Sequence, residues 1–328
     1  MELILATQQG VIIATQNGNE WQLVRRGMTS QHITSVIARE GVILAGTTDG
    51  IFCTEDLGRS WVELSHGLTE RHVRWMAFHP DVSDFEFAGV EPASLFVSRD
   101  GGANWVERTE ISELRDKFGW WLPYSPGAGC VRDVTFAGNR AYAAVEVGGV
   151  LRSDDGGESW ALTKGSSGQP KFVQPESKQV HADVHSVIVH PTSADLVFAC
   201  TGGGFYKSDD GGANWQLLYP NCYVRAVWID PTDPLRMVLG PADSSSGRNG
   251  RIEVTHNGGE SWQKTAVQWS RNMVERFKHL GDQLFAVLAN GELLQTGLPI
   301  ETADLSSLTM NPILPDVKRV NDVTIMVA

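Results

Sequence analysis

The octapeptide Ser208–Trp215, SDDGGANW, recurs along the chain and decides how the chain is organised. Two near copies are SDDGGESW at Ser153–Trp160 and SRDGGANW at Ser98–Trp105. Looser copies are TEDLGRSW at 54–61, THNGGESW at 255–262 and TQNGNEW at 15–21. The closing tryptophans stand at positions 21, 61, 105, 160, 215 and 262, so successive copies are 40, 44, 55, 55 and 47 residues apart.

The unit between two copies has the composition of short strands. In Val131–Trp160, VRDVTFA, NRAYAAVEV and GGVLRS each combine β-branched or aromatic residues with flanking glycines, and SWALT follows the octapeptide. The octapeptide is therefore expected in the hairpin between the third and fourth strands. Repeats of about 40–55 residues built in this way are typical of four-stranded propeller blades.

This position explains the composition of the octapeptide. Consecutive glycines permit positive φ, the Asp and the Ser or Thr can bond nearby backbone, and the Trp can fill the space between units. A calcium loop would need more oxygen ligands than one Asp and one Ser supply. We therefore predict a structural role for Asp56, Asp100, Asp155, Asp210, Trp61, Trp105, Trp160, Trp215 and Trp262.

The octapeptide resembles the Asp box, or BNR repeat, with the pattern Ser/Thr-x-Asp-x-Gly-x-x-Trp. Four copies match it in full, and Asn17 and Asn257 replace the Asp in two others. The resemblance implies a β-propeller of the superfamily that includes sialidases, xyloglucan-cleaving glycosidases, sortilin-type receptors and a photosystem II assembly factor. Because these proteins differ in function, the resemblance implies a fold and leaves the function open.

The two ends of the chain carry complementary parts of one blade. The segment Val320–Ala328, VNDVTIMVA, is similar to the first strand of the unit at Val131, whereas the N-terminus begins with later strands. Counted across the joined ends, Val320 to Trp21 spans 29 steps, the same as Val131 to Trp160. We predict an all-β, seven-bladed propeller of four-stranded antiparallel blades, closed by 320–328, with six blades as the alternative.

The whole chain is predicted to form this single domain, 1–328. The predicted blades span 320–328 with 1–24, 32–65, 73–108, 131–163, 184–218, 224–265 and 273–319.

The composition and net charge narrow the classes of partner that the chain is expected to bind. A net charge of −12 argues against nucleic acid or an anionic membrane as the main partner. No stretch approaches the roughly 18 apolar residues of a spanning helix. The start of the chain lacks the basic region of a signal peptide, so a soluble, cytoplasmic protein with free thiols, able to exist as a monomer, is expected.

The innermost strands share a polar position, directly after their leading Val or Ile. Because the innermost strands of a propeller surround its channel, these side chains are expected at the channel mouth. A cluster of Arg and His there favours a small anionic molecule or an acidic protein segment as ligand. The alternative is that the arginines pair with Glu91, Glu146, Asp133 and Asp322. The predicted ring consists of Thr34, Arg74, Arg132, His185, Arg225, Glu275 and Asn321.

A metal is a second possibility. In HADVH, residues two apart share one side of an extended chain, so His181, Asp183 and His185 could face together and bind zinc or iron. The alternative is that these histidines form hydrogen bonds at the channel rim and that no cofactor is bound.

Catalysis is a third possibility. The resemblance to sialidases implies an arginine triad from Arg74, Arg132 and Arg225, with Tyr223 and Glu275 as a nucleophile pair. A glycoside hydrolase or lyase needs suitably placed carboxylates, and Glu91 and Glu146 occupy matching turns between second and third strands. Sialidases have six blades, however, and this chain lacks their Arg-Ile-Pro segment.

Two insertions are expected to roof the mouth. Thr109–Cys130 begins with a short helical piece and then carries Trp120, Trp121 and Tyr124, which could stack on a carbohydrate. Lys164–Gln179 is polar and rich in Pro and Gly. The sequence thus predicts a propeller whose mouth binds an anionic or carbohydrate-like ligand or a protein segment, with a glycosidase or a metal-dependent enzyme as alternatives.

Overall fold

The computed structural model describes residues 1–18, 20–122, 129–171 and 173–326. Within these ranges the chain forms strands that assemble into seven separate sheets of four antiparallel strands. In chain order the strands are β1 (Glu2–Thr7), β2 (Gly10–Asn17), β3 (Glu20–Gly27), β4 (Ile33–Arg39), β5 (Val42–Thr47), β6 (Gly50–Thr54), β7 (Val62–Glu63), β8 (His72–Phe78), β9 (Glu86–Glu91), β10 (Ser94–Ser98), β11 (Val106–Glu107), β12 (Val131–Ala137), β13 (Arg140–Val145), β14 (Gly149–Ser153), β15 (Ala161–Leu162), β16 (Val184–Val189), β17 (Val197–Thr201), β18 (Gly204–Ser208), β19 (Gln216–Pro220), β20 (Tyr223–Ile229), β21 (Met237–Ala242), β22 (Arg251–Thr255), β23 (Gln263–Gln268), β24 (Val274–Leu280), β25 (Gln283–Leu288), β26 (Leu293–Thr296), β27 (Met310–Ile313) and β28 (Val320–Met326).

Each sheet is one blade of a β-propeller. Blade 1 has the strand order β28-β1-β2-β3, and blades 2 to 7 follow as β4–β7, β8–β11, β12–β15, β16–β19, β20–β23 and β24–β27. The prediction of seven four-stranded blades is confirmed, and the six-bladed alternative is wrong. A helix, α1 (Thr109–Phe118), precedes β12, and a short 3₁₀ turn, Leu305–Ser307, precedes β27. No helix in the described ranges is long and apolar enough to cross a membrane.

The ring closes where the two ends of the chain meet. Strand β28 pairs antiparallel with β1, from Glu2 opposite Met326 to Thr7 opposite Val320. On the outer side of the same blade, Trp21 Nε1 donates to Gln295 Oε1 of blade 7 at 2.7 Å. The exposed edge that β1 would otherwise present is therefore paired, which removes a site of aggregation.

The box carboxylates are used inside their own turns. In the box of blade 2, Gly58 N donates to Thr54 Oγ1 at 3.0 Å, and Ser60 donates to Asp56 through its backbone N (3.0 Å) and its hydroxyl (2.6 Å). The hydrogen bonds from Ser60 hold the pKa of Asp56 well below its usual range. Equivalent bonds to the Asp recur in the boxes of blades 3, 4 and 5. In blade 6, Asn257 Oδ1 accepts from Ser261 N, whereas its Nδ2 donates to the Ser261 hydroxyl.

The box tryptophans pack between neighbouring blades. Trp105 is 3% exposed, and its Nε1 donates at 2.9 Å to the carbonyl of Leu64 in the preceding blade. Trp262 of blade 6 lies edge-on against Phe205 and Tyr219 of blade 5. The spacing of the tryptophans along the sequence thus corresponds to the spacing of blades around the ring.

Replacing Trp105 by Ala should lower the free energy of unfolding by about 3–5 kcal/mol, because it leaves a cavity between blades 2 and 3. The neighbouring exposed residue gives the control: Val106→Ala should change it by less than about 0.5 kcal/mol. Urea denaturation measures both values. Equal destabilisation by the two substitutions would contradict the packing role of the tryptophan.

Candidate functional site

Every innermost strand leaves its polar residue out of the pairing register, and β20 leaves out two residues. In β12, Val131 pairs with Val145 and Asp133 with Ala144, so Arg132 is left out of the ladder. A β-bulge of this kind re-aims the side chain of the extra residue, here towards the channel. The other skipped positions are Thr34, Arg74, His185, Arg225 with Ala226, Glu275 and Asn321.

The bulged residues surround two adjoining cavities at one end of the channel, which we call the mouth. The larger has a volume of about 470 Å³, and its lining includes Thr34, Arg74, Arg132, Glu275, Arg276 and Asn321. The smaller has a volume of about 210 Å³, and its lining includes Arg132, His185, Arg225, Glu275, Arg276 and Lys278. The structure therefore brings all seven residues of the predicted ring to one mouth.

Charged side chains at the mouth form an alternating series. Arg132 Nη1 lies 3.3 Å from Glu146 Oε2, and Arg132 Nη2 lies 3.7 Å from Glu275 Oε2. Glu275 also pairs with Arg225, which extends the series to Glu146–Arg132–Glu275–Arg225. On the far side of the mouth, Arg74 Nη1 lies 3.4 Å from Glu91 Oε2. The sequence offered the alternative that the arginines pair with nearby carboxylates. For Glu91 and Glu146 the structure shows this pairing.

Asp133 and Asp322 differ from that expectation. Asp133 accepts a hydrogen bond from Val187 N of the next blade at 3.2 Å. Asp322 accepts from Val36 N at 3.2 Å, and its other oxygen lies 3.2 Å from Lys278 Nζ. Because each Asp stands one position after a bulge, it contacts the neighbouring blade instead of the predicted arginines.

Thr34 and Asn321 also fasten blades together. Thr34 Oγ1 donates to the carbonyl of Val73 at 2.7 Å, and Asn321 Nδ2 donates to the carbonyl of Ile33 at 2.6 Å. These two members of the ring therefore have partners in the neighbouring blade, whereas the arginines and Glu275 carry the charge of the mouth.

Arg276 was not singled out by the sequence. It lines both cavities, and its Nη2 donates a long hydrogen bond, 3.4 Å, to the carbonyl of Arg74. Among the described residues it forms no ion pair. Simple strand alternation would put Arg276 and Glu275 on opposite sides, so only the bulge at Glu275 explains why both reach the mouth.

The trio predicted from HADVH does not assemble. His185 Nε2 lies 3.4 Å from Asp183 Oδ2, but His181 Nδ1 instead accepts a hydrogen bond from Asp183 N at 3.2 Å. Val184 N bonds to the carbonyl of Ala182, which makes a tight turn and breaks the alternation before β16 begins. Glu146 takes the place of His181, because donor atoms of Glu146, Asp183 and His185 all lie within 4.8 Å of one another.

Burial shifts the proton affinities of this cluster. Burial, with help from the charge of Glu146, raises the pKa of Asp183 to about 7. Burial and the charge of Arg132 lower the pKa of His185 well below its usual range. Near neutral pH the imidazole of His185 is therefore uncharged, and the carboxyl of Asp183 is partly protonated.

Tyr223 packs on this cluster as a protonated phenol. Its ring centroid lies 4.7 Å from that of His185, and its hydroxyl accepts from Arg225 Nη2 at 3.4 Å. Burial raises the pKa of Tyr223. Glu275, its predicted catalytic partner, is paired with Arg225 and Arg132.

Trp120 and Trp121 of the first insertion do not line the cavities of the mouth. Trp120 is 0% exposed, and its Nε1 donates to the carbonyl of Gly168 at 2.7 Å, so the indole belongs to the core and the ligand-stacking prediction is corrected. Trp121 is 62% exposed but lines neither cavity. The predicted helical piece is present as α1, and Tyr124 lies outside the described residues.

A larger surface depression, of about 570 Å³, lies beside the Asp56 box. The Asp56 carboxylate already accepts hydrogen bonds from Ser60 within its own turn. The mouth is the better candidate site despite its smaller cavities, because charged groups from most of the blades converge there.

Comparison with known proteins agrees with this architecture. No protein-family model matches the chain. By sequence it is 23% identical over 221 residues to the oligoxyloglucan-reducing end-specific xyloglucanase of Emericella nidulans, which covers 57% of this chain and 26% of that protein. The chain thus spans about a quarter of the length of that relative.

Two solved structures share the fold. YCF48 bound to D1 peptide superposes with a TM-score of 0.63 at 15% identity, covering 91% of this chain and 89% of that one. The GH74 xyloglucanase from Xanthomonas campestris gives 0.61 at 14% identity, covering 87% and 45%. Fold and mouth together define a seven-bladed β-propeller with a charged channel mouth. Its structural neighbours include GH74 xyloglucanase and YCF48 propellers.

Replacing Asp183 by Asn should change how stability depends on pH. Between pH 4 and pH 7 the folded protein holds a proton on Asp183 that the unfolded chain releases, so the free energy of unfolding falls as pH rises. Asn does not titrate. The free energy of unfolding of Asp183→Asn, relative to that of the original protein, should therefore rise by about 2 kcal/mol between pH 5 and pH 8.

Urea denaturation at several pH values, with a chelator present, measures this gain. Asp282→Asn, at an exposed turn, is the control and should give a constant difference. If the Asp183 difference is equally constant, the carboxyl titrates normally in the folded protein.

Proposed function

We propose that this chain is a binding propeller whose mouth receives an acidic group carried by a peptide segment. The observation that carries this proposal is the excess of guanidinium groups in the larger cavity. Arg74, Arg132 and Arg276 line it, and Glu275 is the one carboxylate among its lining residues. The whole chain has a net charge of −12, so a lining with three arginines and one carboxylate differs from the average of the chain.

Arg276 is the group best placed to hold the ligand. It is half-buried and has no ion-pair partner among the described residues. A guanidinium binds a carboxylate with two parallel hydrogen bonds, which gives both affinity and orientation. An acidic side chain or a C-terminal carboxylate reaching the mouth would supply the missing partner.

A peptide fits the site better than a folded partner does. A cavity of about 470 Å³ accommodates one or two side chains but no larger element. A peptide ligand is also supported by the similarity to YCF48 bound to D1 peptide, which extends over nearly the whole of both chains.

Glycoside hydrolysis is the second candidate. It is supported by the sequence match to a xyloglucanase and by Asp183, whose pKa near 7 suits a proton donor. Release of sugars from xyloglucan oligosaccharides by the purified chain, abolished in Asp183→Asn, is the expected result for this candidate. If neither protein releases sugar, binding alone remains.

Binding of an acidic peptide gives the direct test. A fluorescein-labelled peptide of five glutamates should bind the protein, and the same peptide made of glutamines should not. Because hydrogen bonds between charged groups are worth about 1.5–3 kcal/mol, Arg276→Gln should weaken binding roughly 10- to 100-fold. Fluorescence anisotropy measures both affinities.

The matched control is Arg26→Gln, which removes an exposed arginine from the outermost strand of blade 1. It should leave the affinity unchanged, and added salt should weaken binding to the original protein. Equal binding of the two peptides, or no loss in Arg276→Gln, would contradict the proposal.

A further inference from the structure

We propose that Glu146, Asp183 and His185 form a site for one divalent transition-metal ion in the wall of the mouth. The three side chains come from the turn after β13, the segment before β16 and the bulge of β16. Each is buried, and their donor atoms lie within 4.8 Å of one another.

The side chain of His185 is an independent observation that points to a metal ligand. Its side chain is fully buried, and neither ring nitrogen has a hydrogen-bond partner among the described residues. The 3.4 Å approach of its Nε2 to Asp183 Oδ2 is not aligned for a hydrogen bond. Buried polar groups without partners are rare because each is costly. A metal bound at Nε2 would satisfy this nitrogen.

The spacing of the donors suits such an ion. Zinc binds imidazole nitrogen and carboxylate oxygen at about 2.0–2.2 Å, which places two donors on one ion about 3–4 Å apart. The separation of His185 Nε2 and Asp183 Oδ2, 3.4 Å, falls in that range. One imidazole with two carboxylates suits zinc, manganese or iron.

The guanidinium beside the site is already paired, because Arg132 lies 3.3 Å from Glu146 and 3.7 Å from Glu275. The two carboxylates of the site would offset the charge of a divalent cation, and its open coordination positions would take an anionic ligand. His185 lines the smaller cavity, so those positions face the mouth.

His181 provides the matched control within the same segment. It is also buried, but its Nδ1 accepts a hydrogen bond from Asp183 N, and it lies outside the three-residue cluster. If Glu146, Asp183 and His185 bind the metal, replacing His181 should leave metal affinity unchanged. If the ligands were His181, Asp183 and His185, the same replacement should weaken it.

Zinc binding to the full chain, stripped with a chelator and dialysed, tests the proposal. Isothermal titration with Zn²⁺ should show one ion per chain. His185→Gln and Glu146→Gln should each weaken binding at least tenfold, whereas His181→Gln should bind as the original protein does. Urea denaturation of each variant verifies that it is folded.

Cobalt gives a second measurement that needs no variant. Co²⁺ added to the stripped protein should produce visible absorption bands of an ion held by nitrogen and oxygen, and one equivalent of Zn²⁺ should remove them. Failure of Zn²⁺, Mn²⁺ and Co²⁺ to bind at one equivalent would overturn the proposal. If His181→Gln lost as much zinc affinity as His185→Gln, the assignment of the metal ligands would be overturned. Binding of the pentaglutamate peptide to chelator-treated protein is measured separately, so the two proposals can fail independently.

Discussion

Pairing of β28 with β1 is the constraint on which the mouth depends. It places Asn321 and Asp322 beside β4, where Asn321 bonds to the carbonyl of Ile33 and Asp322 to the backbone of Val36. Without that pairing, blade 1 would lack its innermost strand and the channel would open on one side. The cavities among Arg74, Arg132 and Glu275 exist because the ring is closed.

Much of this architecture could be predicted from spacing and residue type. The tryptophan steps gave the blade repeat, and the equal counts across the joined ends gave the closing strand. The mouth residues were found because a polar side chain after a leading Val or Ile is unusual in a buried strand. Each of these signals is local or recurs from blade to blade, which is why it can be recognised in a single sequence.

The remaining features depend on geometry that does not repeat along the sequence. The bulges displace the strands from simple alternation, so Arg276 could not be placed at the mouth from its position next to Glu275. Glu146 joins Asp183 and His185 across two blades, and His181 turns away because the chain bends before β16. Trp120 packs in the hydrophobic core and donates to the carbonyl of Gly168 in a distant insertion.

The central claim is that closure of the ring and the bulges together create a local anion site in an acidic protein. Crystals soaked in sodium bromide would test it most directly, because anomalous scattering locates bromide ions individually. A bromide peak in the larger cavity, in contact with the guanidinium of Arg276, is the predicted result. Bromide bound only on the outer strands, with none at the mouth, would contradict the claim.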